Sequence, residues 1–369
     1  MFSHYETWLI LIPFVALLAF GCRFMKRGQW NENVLSYEHT KAFLGFCAIG
    51  IILHHCAERT SAAWINPIYI RPGLELFVDA GYLFVAAFFF CSGFGLYKSS
   101  RKGKMKFGRF CLRRIVPILV PTVVMEVVFI LLRINRGMKI RFPDFFALEG
   151  PENIIPYVWF IPVLIIFYLA FYLCFCVNKK DGMGIALMVL IAELLIVFFM
   201  HYQYGLWWYN TYHLFIIGIL FAKYEEKITG FSKRYYIPLI IVMLILTCAG
   251  FIVGNYYWMF LPEQMCTVTL AYVFMAMSAF TSVYLTFLIG LKVKIGNPIL
   301  RFLGKQTLEI YLTQAVFVYG FSFFFVKDYV KPFFYIENVA LYTFVVVITT
   351  LIASYPLYLL DSYIHRKTA

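Results

Sequence analysis

Long apolar runs, separated by short polar and basic segments, fill this chain from end to end. They fall at about 7–22, 42–56, 79–97, 115–132, 156–177, 184–201, 210–222, 236–254, 265–290, 306–326 and 338–360. A helix crossing a bilayer needs about 20 mostly apolar residues. The pattern therefore predicts an all-α, polytopic transmembrane helical bundle of about eleven spans. The runs at 42–56 and 210–222 are short and carry histidines and other polar groups. Such segments are expected to line a cavity, because lipid cannot satisfy them. No internal repeat, low-complexity tract or loop of soluble-domain size interrupts the pattern. Residues 1–37 read as an N-terminal transmembrane helix and its following loop, and 38–369 as one membrane domain.

Composition sharpens this picture. Of 369 residues, 62% are hydrophobic and only 14% charged, with a mean hydropathy of +0.79. That excludes an ordinary water-soluble enzyme, a disordered chain and a nucleic-acid module. The net charge of +13 reads as topology, since basic residues collect in cytoplasmic loops. With the amino terminus outside, 24 of the 32 Lys and Arg residues fall in inside segments. The C-terminus is then cytoplasmic. Trp64, Trp207, Trp208 and Trp258 lie in or beside the outer loops, as an interfacial aromatic belt would. The first apolar run has basic residues after it (Arg23, Lys26, Arg27) and none before it. That is the reverse of a signal peptide, so it is expected to stay as an uncleaved helix. The nine cysteines, Cys266 among them, show neither zinc spacing nor a disulfide framework.

Ionisable groups inside spanning segments are costly and usually functional. Here they are His54, His55, Glu126, Glu193, His213 and Glu309. His54 and His55 end the second run, KAFLGFCAIGIILHHC. His55 lies fourteen residues beyond Lys41, about 21 Å along a helix axis. Imidazole is the side chain best suited to take and return a proton near neutral pH; the alternative is a histidine wetted at a helix end. Eight basic residues cluster from Lys98 to Arg114. They suit either a topological anchor or a phosphorylated ligand, which Arg binds bidentately. Glu126 and Glu193 suit packing roles, and Glu309 a pairing with Lys305 at i, i+4. His213, with Asn210, Thr211 and Tyr212, suits either a sugar contact or a helix cap.

Five segments in order, LGFCAIGIILHH, FFFCSGFGLYKSS, FGRFCLRRIVPILVP, VWFIPVLIIFYL and LRFLGKQTLEIYLTQ, resemble the acyltransferase-3 family of integral-membrane O-acyltransferases. The resemblance covers about 38–325. It implies a ten-helix acyltransferase core, to which this chain adds one N-terminal helix. It implies a multi-pass protein of the bacterial plasma membrane that moves an acyl group, usually acetyl, from cytosolic acyl-CoA. The acceptor would be a hydroxyl of a surface or secreted glycan, or of a lipid-linked sugar. His55 matches the family's histidine, a general base or transient acyl carrier, with His54 as a second-shell or alternate base. Arg114, and more loosely Arg113 and Arg109, match the donor-binding basic positions, and Lys41, almost one turn before Leu44, is the nearest cation that would substitute for the basic residue usual there. Acetyl-CoA or another acyl-CoA is the expected donor, with no metal and no nucleic acid involved. The chain differs from the family pattern at Leu44 and Cys111, where basic residues are usual, and at Ala86 and Gln314. The other readings open at this point are a transporter or flippase using the same polar cavity, and an inactive relative acting as a membrane partner.

Overall fold

The computed structural model describes residues 5–103, 106–146, 153–177, 180–259, 267–323 and 331–368. Cys266, Lys104 and Lys179 lie outside them, as does the middle of the outer segment 133–155. Each of the eleven apolar windows holds a helix, and among the described residues eight helices are long and apolar enough to cross a membrane. These are α2 (Tyr37–Thr60), α4 (Gly81–Ser100), α6 (Val116–Asn135), α7 (Phe160–Phe171), α8 (Asp181–His201), α11 (Tyr236–Tyr256), α12 (Val268–Lys292) and α15 (Val339–Thr368). α7 reaches spanning length through a π-helical continuation over Tyr172–Val177. Three helices are shorter: α1 (Tyr5–Ala19), α9 (His213–Lys223) and α14 (Thr307–Gly320). The expected eleven full spans are thus not confirmed. Short helices α3 (Glu75–Val78), α5 (Phe107–Arg114), α10 (Glu225–Arg234) and α13 (Pro298–Leu303) connect them.

Burial sorts the spans. The apolar window of α2 is 78% buried and that of α11 only 11%. α2 is therefore the central helix and α11 a lipid-facing one, which is why α2 tolerates two histidines near its end. The 42–56 run is no short segment, since Ser36 caps a 24-residue helix by accepting from the His39 N–H. The 210–222 run is genuinely short. A 3-10 turn over Leu206–Trp208 leads into buried Asn210, Thr211 and Tyr212 before α9 begins. Polar backbone at membrane depth is tolerable where protein encloses it.

Glycines set the closest crossings. A Cβ on Gly93 of α4 would strike the Phe215 carbonyl of α9, and one on Gly218 of α9 would strike the Phe90 carbonyl. At the start of α2, a Cβ on Gly304 would strike the Lys41 carbonyl. Small residues let transmembrane backbones approach in this way. Strands β1 (Arg23–Phe24) and β2 (Val293–Lys294) form a two-residue antiparallel ribbon that ties the segment after α1 to the end of α12.

The tryptophans expected beside the outer loops differ in exposure. Trp64 and Trp207 are exposed, but Trp208 is buried against Trp159 and Phe199. The Trp258 side chain lies outside the described residues. The eight described cysteines are all free thiols.

Candidate active site

One stripe of α2 organises the site. Lys41, Leu44, Ala48, Ile51 and His55 follow one another at steps of three and four residues, so they share one helix face. The first four line a cavity of about 290 Å³. Its basic mouth is formed by Lys41, Arg113, Arg114 and Lys305, with Glu309 and Asp361 beside them. Ser92, Tyr168, Phe160 and Tyr311 continue the wall. The cavity's lining on α2 ends at Ile51, one helical turn short of His55.

A tyrosine closes that last turn. Tyr157 stacks on the His55 imidazole, with 3.7 Å between ring centroids and 10° between planes. The Tyr311 hydroxyl, from the cavity wall, donates to the Tyr157 carbonyl. Tyr157 has φ of 63°, a left-handed backbone that non-glycine residues seldom adopt. Such conformations persist where the surroundings impose them, often at functional sites. His55 itself is buried, and its Nδ1 has no hydrogen-bond partner. Gln314 approaches it from α14.

His54 points elsewhere on the helix. Its Nδ1 lies 2.9 Å from the Phe77 carbonyl, and its Nε2 lies 3.7 Å from the Glu58 carboxylate. The carbonyl can only accept, so Nδ1 carries the hydrogen. One donor atom each from His54, His55 and Glu58 falls within 4.8 Å of the others, close enough for the trio to hold a cation. Packing fixes this arrangement: a Cβ on Gly81 would overlap the His54 ring.

The basic cluster divides by role. Arg113 and Arg114 reach the cavity mouth, and Arg114 donates to Ser99 Oγ at 2.8 Å. Arg101 instead pairs with Asp181 at 2.7 Å, and Lys98 pairs with Glu225. Arg109 is exposed and does not line the cavity. Leu44, at the position where the family has a cation, lines the cavity between Lys41 and Ala48. On α2 the positive charge at this mouth comes from one turn earlier, at Lys41, and Lys305 adds to that of Arg113 and Arg114.

Other polar residues separate from this site. Glu309 and Lys305 both face the cavity without forming an ion pair with each other. Glu193 and His213 meet at 2.7 Å, and the other His213 nitrogen lies 3.1 Å from the Tyr272 hydroxyl. Glu126 is half-buried on α6 and does not line the cavity. Sequence reasoning missed Tyr157, Tyr311 and Glu58, and gave Lys305 only a pairing role with Glu309. Glu58 stands at i+4 from His54, a spacing that could have revealed it. Nothing in a lone Tyr forecasts a left-handed backbone.

Compared with known families, residues 43–359 match a family model described as an acyltransferase domain. No curated protein and no solved structure matches the chain.

Proposed function

The chain belongs to the acyltransferase-3 family, and from that premise we propose that this multi-pass membrane protein transfers an acetyl group from acetyl-CoA to a glycan hydroxyl. In this reading the basic mouth faces the cytosol and the acceptor arrives from the opposite side. The observation that carries it is the single α2 stripe joining a cationic mouth at Lys41 to an imidazole at His55.

The chemistry follows from that line. Arg113, Arg114, Lys41 and Lys305 hold the phosphates of the donor, where guanidinium forks and ammonium charges bind best. The pantetheine arm extends along Leu44, Ala48 and Ile51, a wall that is largely apolar and suits an uncharged thioester chain. The Tyr157 ring moves off His55 to admit the thioester. His55 takes the proton of the acceptor hydroxyl, and the oxygen attacks the thioester carbonyl. The C–S bond breaks as the ester C–O bond forms. The departing CoA thiolate recovers the proton from the imidazolium, so His55 ends as it began.

Membrane vesicles carrying the protein, supplied with labelled acetyl-CoA on the basic side, test the proposal. The expected result is label appearing as an ester on polysaccharide isolated from the other side, absent when His55 is replaced by Ala. Glycan movement without acetyl-CoA consumption would instead support a transporter. Full transfer by His55→Ala would remove the proposed base.

A further inference from the structure

The opposite side of α2's first turns faces a second recess, one the acyl-transfer chemistry does not use. It lies where the segment after α1 meets the start of α13 and has a volume of about 820 Å³. Arg23, Lys294 and Arg301 line it, with Glu38 as the one acidic residue in its wall. All three cations are exposed, and none is paired with the acid groups that neutralise Lys98, Arg101 and Lys233. Asn297 fixes the wall by donating to the carbonyls of Leu17 and Phe20 at 2.8 and 3.1 Å. The first turn of α2, a 24-residue helix, opens into the same recess and adds partial positive charge there.

A second, apolar crevice of about 50 Å³ runs between α2, α4 and α12. It shares His39 and Ile295 with the basic recess, and its wall includes Phe43, Ala87 and Thr286. His39 Nε2 accepts from the Ile295 N–H at 3.1 Å, which orders the edge that the two voids share. Around the recess, Phe20, Phe24 and Tyr37 are 63%, 79% and 72% exposed. Exposed aromatic rings beside clustered cations are what a protein presents to the headgroup layer of a membrane.

We infer that the recess binds the phosphodiester headgroup of an anionic phospholipid, with the first methylenes of one acyl chain entering the apolar crevice. A topological anchor needs only cations on the correct side. Here the cations converge on a concavity, and a greasy slot adjoins it at the edge formed by His39 and Ile295. The shared chemistry is a phosphate, which a soluble phosphate ester would also offer; the crevice is what favours a lipid. The site lies at the junction between the residues preceding 43 and the domain matched by the family, so it does not rest on the acyl-transfer reading.

The test uses the purified full chain in detergent, with native mass spectrometry and thermal melting as readouts. Phosphatidylglycerol is expected to stay bound and raise the melting temperature, while phosphatidylcholine and soluble glycerol 3-phosphate do neither. Arg23→Glu with Arg301→Glu should weaken phosphatidylglycerol binding by about tenfold or more. Thr286→Phe, which fills the crevice, should weaken it while sparing the basic recess. Equal retention of phosphatidylcholine would overturn the proposal, as would equal stabilisation by glycerol 3-phosphate, which would mark a soluble-phosphate site. The comparison of the three ligands on the unaltered chain decides the matter even if the charge reversals fail to fold.

Discussion

The ring of Tyr157 lies flat on the imidazole of His55, 3.7 Å away centre to centre, and covers one face of it. An aromatic stack of this kind is worth about 0.5–1.5 kcal/mol beyond the area it buries. Closing the path when no acceptor is present would protect a thioester from water. Removing the ring should therefore loosen coupling rather than abolish chemistry. Tyr157→Ala is expected to raise acetyl-CoA hydrolysis without acceptor, by a few-fold to about tenfold. Tyr157→Phe keeps the stacking face and should behave like the parent. Free CoA release, followed with and without glycan, measures both; unchanged hydrolysis in the Ala variant would dismiss the gate.

The two adjacent histidines predict unequal losses. His55 continues the stripe of the cavity, whereas His54 is tied to the Phe77 carbonyl and faces Glu58. His55→Ala should cost about 10²–10⁴-fold in transfer rate, the usual scale for a lost general base. His54→Ala should cost less, because it removes a neighbour of the base rather than the base. Single-turnover transfer in vesicles separates the two, and equal losses would mean that His54 also reaches the reacting atoms.

The basic cluster should split along the cavity wall. Arg113 and Arg114 line the mouth, and Arg109 does not. Reversing Arg113 and Arg114 to Glu is expected to raise the KM for acetyl-CoA by about tenfold or more, since charge-assisted contacts to phosphate are lost. Arg109→Glu should leave KM near its starting value. Lys305→Gln should raise it modestly, because Lys305 supplies part of the positive charge at that mouth. A KM rise for Arg109→Glu matching that of the double reversal would place the donor elsewhere.

These residues also show what could be read before any coordinates. The apolar run at 42–56 with its two histidines marked α2 as a shielded helix, because a spanning segment containing histidines has to be kept from lipid. The basic mouth of the cavity was legible only as a crowd of eight cations. Which of them face a cavity depends on the tertiary packing of α5 and on partners such as Asp181 and Glu225, remote in sequence. Tyr157 was invisible for a different reason: its role rests on one unusual backbone angle and on Tyr311, far along the chain. Trp208 misled in the opposite direction. A tryptophan near an outer loop resembles an interfacial anchor, but the chain turns back into the bundle there and buries it.

The α4–α9 crossing should be the most sensitive packing feature near the site. Gly93 and Gly218 sit where each helix's backbone meets the other's carbonyl oxygen, so any Cβ must push rigid main chain rather than a movable side chain. Overpacking of this kind costs about 1–3 kcal/mol where side chains can yield, and backbone yields less. Gly93→Val should therefore lower the melting temperature in detergent more than Gly95→Val, since the space around Gly95 is open. Both carry the same change in helix propensity, so their difference isolates the crossing. Because α4 also carries Ser92 and Phe88 into the cavity wall, Gly93→Val should reduce the proposed transfer even below its melting point. Gly95→Val should not. Equal melting temperatures for the two variants would show that the helices separate easily and that the crossing does not fix the cavity wall.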